Sequence, residues 1–455
     1  MYVSQQGLSG RIGFRDLRLE RRAEQLVGAI HRTCTGTLSR LASNRAEQVA
    51  FSGFLHHDHV HLDQLIYAAT RAGRERVQRA GHAHVLVCSD TTEVNLKATM
   101  GYRPAAELGV TGNNSDPGFF IHAGFALDPE HGRPLGCVSA QLWTRGGHVD
   151  FGACESQKWF HVTRDVQGLT PTVTLVHDRE GDIYDLWFQV MQRQTHLITR
   201  ARQDRALIPD YPGGPTRLWA ALEAAAPSAL FELSIPADPK RGRAARRSMM
   251  ALRFRTVRLR SPRAGRAGKR GSVQLQAVEV RECTACVPCG ESPVVWRLLT
   301  THTVETVQQA LQIVKWYMFR WRAEDTFSAL KTRGLDVEAS RLKSGLAVMK
   351  LGVMSLWSAA KLTELVKRRD DEVTQASIFF GEDELLCLHE LLPRCEGNTK
   401  TQSNPYAAQS VAWAVWIVAR LGHWHGSGKP GLQIIRRDLE RFDAIFLGWE
   451  IGKQS

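Results

Sequence analysis

The chain is 455 residues long, enough for two or three domains with cores of their own, and its 59 Lys and Arg against 46 Asp and Glu leave a formal charge of +13. An excess of that size fits a phosphate polyanion, or a merely solvated basic surface, and charge alone does not choose between them. Nine scattered cysteines argue against a disulfide framework, the first residues lack a signal-peptide pattern, and the apolar run VAWAVWIVA (411–419) is well short of the roughly 20 residues of a bilayer span, so a soluble, cytoplasmic protein is expected.

Residues 11–70 predict helices. Leu17, Ala23, Leu26, Val27 and Ile30 recur at helical spacing, ringed by Arg15, Arg18, Arg21, Arg22 and Arg32. Such a basic helix is either a solvated face or part of a DNA-binding domain. The cluster His56, His57, Asp58, His59 and His61 reads as a polar turn beside a helix rather than a metal site.

From residue 82 the period changes. HAHVLVCSD (82–90) and TVTLVHD (172–178) are short strand-like runs, each ending in an aspartate. Between them, 119–128 and 135–143 predict two strands across a DPEHGRP turn, with His122 expected as a satisfied buried histidine without a catalytic role. A helix over 182–194 follows, and the whole suggests a mixed α/β sheet.

Residues 195–300 read as strands and loops, interrupted by the basic stretches 240–248 and 258–270. In a DNA-binding chain these would lie along phosphates and release counterions. Cys283, Cys286 and Cys289 form CTACVPC; the spacing suits zinc, but no fourth ligand is placed and a turn with incidental thiols is the preferred reading.

A helix is expected next, carrying Tyr317, Arg320, Glu324 and Lys331 with the spacing Y-x2-R-x3-E-x6-K. Wound as one α-helix, these four side chains fall within roughly a 60° arc, while Leu311, Val314, Trp321 and Leu330 are free to pack inward. Gly334 is a plausible stop, a long apolar helix follows, and the tail from about 372 predicts two helices, 406–421 and 431–450.

Asp90 and Asp178 would thus sit at strand ends, where α/β active sites form, with Glu324 facing them from a helix. A single acid at a strand end is more often a turn or cap residue. Three carboxylates in this arrangement suit two divalent ions about 3.5–4 Å apart, serving the attacking and leaving oxygens of a phosphoryl transfer. Oxygen ligands favour Mg²⁺, with Mn²⁺ as a substitute.

DTTEVN around Asp90, HDREGDIYDL around Asp178 and the Y-x2-R-x3-E-x6-K helix resemble, in order, the three catalytic regions of the DDE transposases of the insertion-sequence-four family. The stretch 298–332, the tail 416–450 and the N-terminal FRDLRLERRAEQLV are also similar, so the resemblance covers nearly the whole chain. It implies an α/β fold with an RNase H-like mixed-sheet catalytic core over 71–365. A β-rich insertion would occupy about 200–300, a helical DNA-end-binding domain 1–70 and a helical dimerisation domain 366–455.

The resemblance further implies a cut-and-paste transposase. Asp90, Asp178 and Glu324 would hold Mg²⁺; Tyr317, Arg320 and Lys331 would contact phosphates near the cut. Trp296 would receive a flipped base, its alternative being a core tryptophan, and Arg200 would contact DNA. The partners would be double-stranded transposon ends, target DNA and a second copy of the chain, with a DNA hairpin formed on the way. Two other readings stay open: an RNase H-like endonuclease that cuts without joining, and a transposase-derived DNA-binding inhibitor.

Overall fold

In the computed structural model of the chain, the described residues are 12–102, 107–146, 155–238, 242–262, 271–331, 334–399, 402–426 and 428–453. Parts of both basic stretches, 240–241 and 263–270, lie outside them.

Asp16 opens the first helix, α1 (Leu17–Thr33), by accepting from the Arg18 amide, and Cys34 closes it in a left-handed conformation. Ala23, Leu26, Val27 and Ile30 are buried as expected. Leu17 is not: at the first helical position it precedes the packed face and is 67% exposed. Two further helices, α2 (Leu38–Leu41) and α3 (Arg45–His56), lead to α4 (Leu62–Ala80), which runs through residue 70 and stops at Gly81 with φ +66°.

The chain then enters a mixed sheet. β1 (His84–Asn95), the short β2 (Gly109–Val110), β3 (Pro117–Leu127) and β4 (Pro134–Trp143) supply its first, antiparallel part. After α5 (Gln157–Asp165) comes β5 (Thr172–His177), parallel to β1; after α6 (Tyr184–Gln192) comes β6 (His196–Arg200), parallel to β5. Beyond α7 (Leu218–Glu223), the strands β7 (Ala229–Ile235), β8 (Arg246–Leu259), β9 (Val273–Glu282) and β10 (Val295–Thr300) are antiparallel. β10 joins them to β6. Among the described residues the sheet has ten strands in the order β2-β3-β1-β5-β6-β10-β9-β8-β7, with β4 on β3.

Each face of the sheet carries its own core. One is built on α5 and α6 around Trp159, Trp187, Leu175 and Leu197. The other joins the helices on the opposite face with Leu86, Ile121, Phe125 and Ile198. The second face receives α8 (Val307–Met318), α9 (Trp321–Leu330) and α10 (Gly345–Lys367). By length and composition α10 is apolar enough to cross a membrane, but 89% of that apolar window is buried inside the protein. Its two buried lysines face helix ends: Lys350 donates to the Leu55 and His57 carbonyls at the C-terminal end of α3, and Lys361 to the His31 carbonyl of α1.

Among the described residues the tail holds three α-helices where two are expected: α11 (Glu382–Cys395), α12 (Val411–Leu421) and α13 (Leu432–Lys453). α12 starts five residues later than its expected 406, where Ser410 caps it by accepting from the Trp413 amide.

Candidate active site

The parallel pairing of β1 with β5 runs from His84 opposite Thr172 to Cys88 opposite Val176. β5 then ends, while β1 continues to Asn95 alongside β3. Asp90 is therefore inside a strand, not at its end as expected; antiparallel pairing with β3 carries β1 onward. It lies two residues beyond the last parallel pair, and so does Asp178. The two aspartates consequently come level where β1 and β5 part.

Asp178 caps a short 3-10 turn, Arg179–Gly181, its Oδ1 accepting from the Glu180 amide at 2.8 Å. That turn is held from both ends. The Thr199 hydroxyl of β6 donates to the Asp178 carbonyl, and Asp182 forms a buried pair with Arg205 at 2.7 Å.

The expected single helix over the Tyr317–Lys331 segment is two. At the junction the Phe319 and Arg320 amides reach back three residues, to the Trp316 and Tyr317 carbonyls, tightening the chain. Two contacts pin the break: Trp316 donates to the Pro129 carbonyl, and the Phe319 ring lies on Gly132, where a Cβ would come within 2.5 Å of it. Val314 and Leu330 are buried and Leu311 partly so, whereas Trp321, directly after the break, is 45% exposed rather than inward.

The break sets Arg320 at the start of α9 and Glu324 in its first turn. Arg320 is 8% exposed and spans two carboxylates, Nη1 to Asp90 Oδ2 at 2.9 Å and Nη2 to Glu324 Oε1 at 2.6 Å. Tyr317 is buried beside it, its ring 6.0 Å from the guanidinium carbon and edge-on to half-buried Trp296 at 6.0 Å between centroids. Arg200 donates to the Val295 carbonyl at 2.7 Å and acts electrostatically on Tyr317. Lys331 is placed differently: its Nζ donates to the Glu93 carbonyl at 3.2 Å, three residues further along β1 than Asp90.

Burial pushes the Asp90 carboxyl up to about 7; Arg320 opposes this, and the charges of Asp178 and Glu324 reinforce it. Asp178 is also raised, first by burial. Tyr317 is raised by burial. Burial works against the Arg320 charge, but Tyr317, Asp90 and Glu324 hold the guanidinium protonated. Asp90 thus feels both of the other acids, with Arg320 as its ion-pair partner.

Among the described residues, no three His, Cys, Asp or Glu groups stand in an arrangement that holds a metal ion. Asp90, Asp178 and Glu324 nevertheless suit a hard divalent cation in kind, being all-oxygen donors whose mutual repulsion a cation relieves. It is Arg320, between Asp90 and Glu324, that fills this electrostatic role.

Lys158 escapes sequence reasoning. It sits in α5 among tryptophans, only 5% exposed, pairs with Glu180 at 3.0 Å and acts on Asp178. His122 lies beneath the site, its Nδ1 2.9 Å from the Thr91 hydroxyl and its ring edge-on to Trp159; burial keeps it neutral. Cys283 precedes and Cys286 ends a 3-10 turn just after β9, and Cys289 is exposed. No protein-family model matches this chain.

Proposed function

We propose that this chain is a metal-dependent DNA transposase of the DDE type, with an RNase H-like core formed by the sheet around β1, β5 and β6. The observation that carries the reading is the meeting of Asp90 and Asp178, level where two parallel strands diverge, with Glu324 linked to Asp90 through Arg320. Order in the chain supports it, since two strand acids and a helix acid within Y-x2-R-x3-E-x6-K are the resembled family's pattern. The charge of +13 fits a DNA substrate.

In this reading Asp90, Asp178 and Glu324 would hold Mg²⁺ or Mn²⁺, which when bound stabilises charge on the attacking and leaving oxygens of an in-line displacement at phosphorus. The chain's own cations orient the DNA strand. Arg320 offers a planar fork to phosphate oxygens and Lys331 a point charge from the far end of α9. The Trp296 indole, half-buried against Tyr317, gives a flipped base a stacking face and offsets part of its unstacking cost. Cutting leaves a 3′-hydroxyl; that hydroxyl attacks the opposite strand to form a hairpin, which reopens before joining to target DNA. Two ends must be held together for this, which calls for a dimer, with the C-terminal helices as its contact.

The test is strand transfer. Duplexes carrying the DNA that borders the gene on each side should be cut and their 3′ ends joined to a target plasmid in Mg²⁺. Cutting without joining would favour the endonuclease; end binding without cutting would favour the inhibitor.

A further inference from the structure

Arg320 is claimed by two partners at once. Its two terminal nitrogens are committed to Asp90 and Glu324 at 2.9 and 2.6 Å, its side chain is 10% exposed, and its buried Nε has no hydrogen-bond partner. A carboxylate oxygen engaged in a charge-assisted bond to a guanidinium is a poorer ligand for a cation, because the same lone pairs and the same negative charge serve both. A divalent ion taken up by Asp90 and Glu324 must therefore loosen Arg320. The freed fork, with Nε added, is the geometry that grips a phosphate.

We infer that Arg320 is an internal competitor of the divalent cation for Asp90 and Glu324, and that a DNA phosphate relieves the competition by drawing the guanidinium off the carboxylates. Metal and DNA then bind cooperatively through one side chain. Each raises the other's affinity by the same factor, as linkage requires, and roughly 5- to 150-fold is the usual span of such coupling. The tightened turn at Phe319–Arg320 sets this up. It makes Arg320 the N-cap of α9, one turn before Glu324, and aims it across to β1. Two other described cations near the acids are engaged elsewhere, Lys158 with Glu180 and Lys331 with the Glu93 carbonyl. Arg320 alone of the three bonds the triad directly. Cations would in this way be held loosely until a strand is in place, which limits idle hydrolysis.

This inference rests on the triad being the metal site, and the experiment separates the two. Mn²⁺ binding to the full-length protein is titrated by electron paramagnetic resonance, without DNA and then with a short duplex from the DNA bordering the gene. Wild type, Arg320→Ala, Arg320→Gln and Asp178→Asn are compared, with folding checked by circular dichroism. The expected result is that both Arg320 variants bind Mn²⁺ roughly 5- to 150-fold more tightly than wild type without DNA. Duplex should then tighten Mn²⁺ on wild type but not on either variant. Equal affinity in wild type and both Arg320 variants, with binding lost in Asp178→Asn, overturns the competition and leaves the metal site standing. No Mn²⁺ bound by wild type with or without duplex overturns the metal reading itself.

Discussion

Gly73 of α4 lies so close to the main chain of Cys137 in β4 that a Cβ at position 73 would stand 1.9 Å from the Cys137 carbonyl oxygen. The approach is mutual, since a Cβ on Gly136 would come within 2.8 Å of the Gly73 Cα. This contact seats the last of the N-terminal helices directly on the sheet. Gly73→Ala should force helix and strand apart and cost about 1–3 kcal/mol or more. Thermal unfolding measures it, and an unchanged midpoint would show that the contact is looser than described.

The pair Asp182–Arg205 fastens the turn that carries Asp178. Asp182 has no exposed side-chain surface and Arg205 9%, and the Arg202 amide also donates to Asp182 at 2.9 Å. Removing one member strands a buried charge, at about 3–5 kcal/mol. Arg205→Leu and Asp182→Asn should each lower the unfolding midpoint sharply, whereas a shift of a degree or less would mean that the pair is solvated in solution.

A pH effect is expected at the other end of the parallel strands. His84 and His302 pack against Trp316, with His196 stacked on His302 at 3.8 Å and Thr174 bonding both His84 and His302 at 2.8 Å. Burial lowers His302 to about 3 and His84 to about 4, with neighbouring histidines adding to it. The unfolded chain, near 6.5, then binds more protons, so stability is full above that pH and is lost as pH falls towards 4. The midpoint should drop between pH 7 and 4.5, and less steeply in His302→Phe. Parallel slopes in the two proteins would remove these histidines from the account.

Trp296 yields a functional prediction. If its indole stacks an extruded base, Trp296→Ala should lose about 1–3 kcal/mol of stabilisation at the cleavage step. Trp296→Phe should keep much of it, and binding to uncut ends should change little. Cleavage by the Ala variant at the wild-type rate would make Trp296 a packing residue on Tyr317.

Much of the site was legible because it is local. β-branched runs ending in Asp90 and Asp178 announce strands, and the spacing of Arg320 and Glu324 announces a helical pair, which forms at 2.6 Å. What the pattern could not carry is contact across the chain. The Arg320–Asp90 bond joins residues 230 positions apart, and the break at Phe319 depends on Gly132 in a distant turn. That break rotates Trp321 outward, against its helical periodicity. α11 has no plain helical signature, since Pro393 and its many charges mask a helix that Glu384 caps by accepting from the Gly381 amide. The length of β1 beyond Asp90 is likewise a matter of pairing with β3 and not of local propensity.

The most direct measurement is Mg²⁺-dependent cleavage and joining of end DNA by Asp90→Asn, Asp178→Asn and Glu324→Gln, alongside wild type, with end binding followed in parallel. The account predicts that each variant binds ends within a few-fold of wild type and loses both reactions. Cleavage that survives in all three would contradict it.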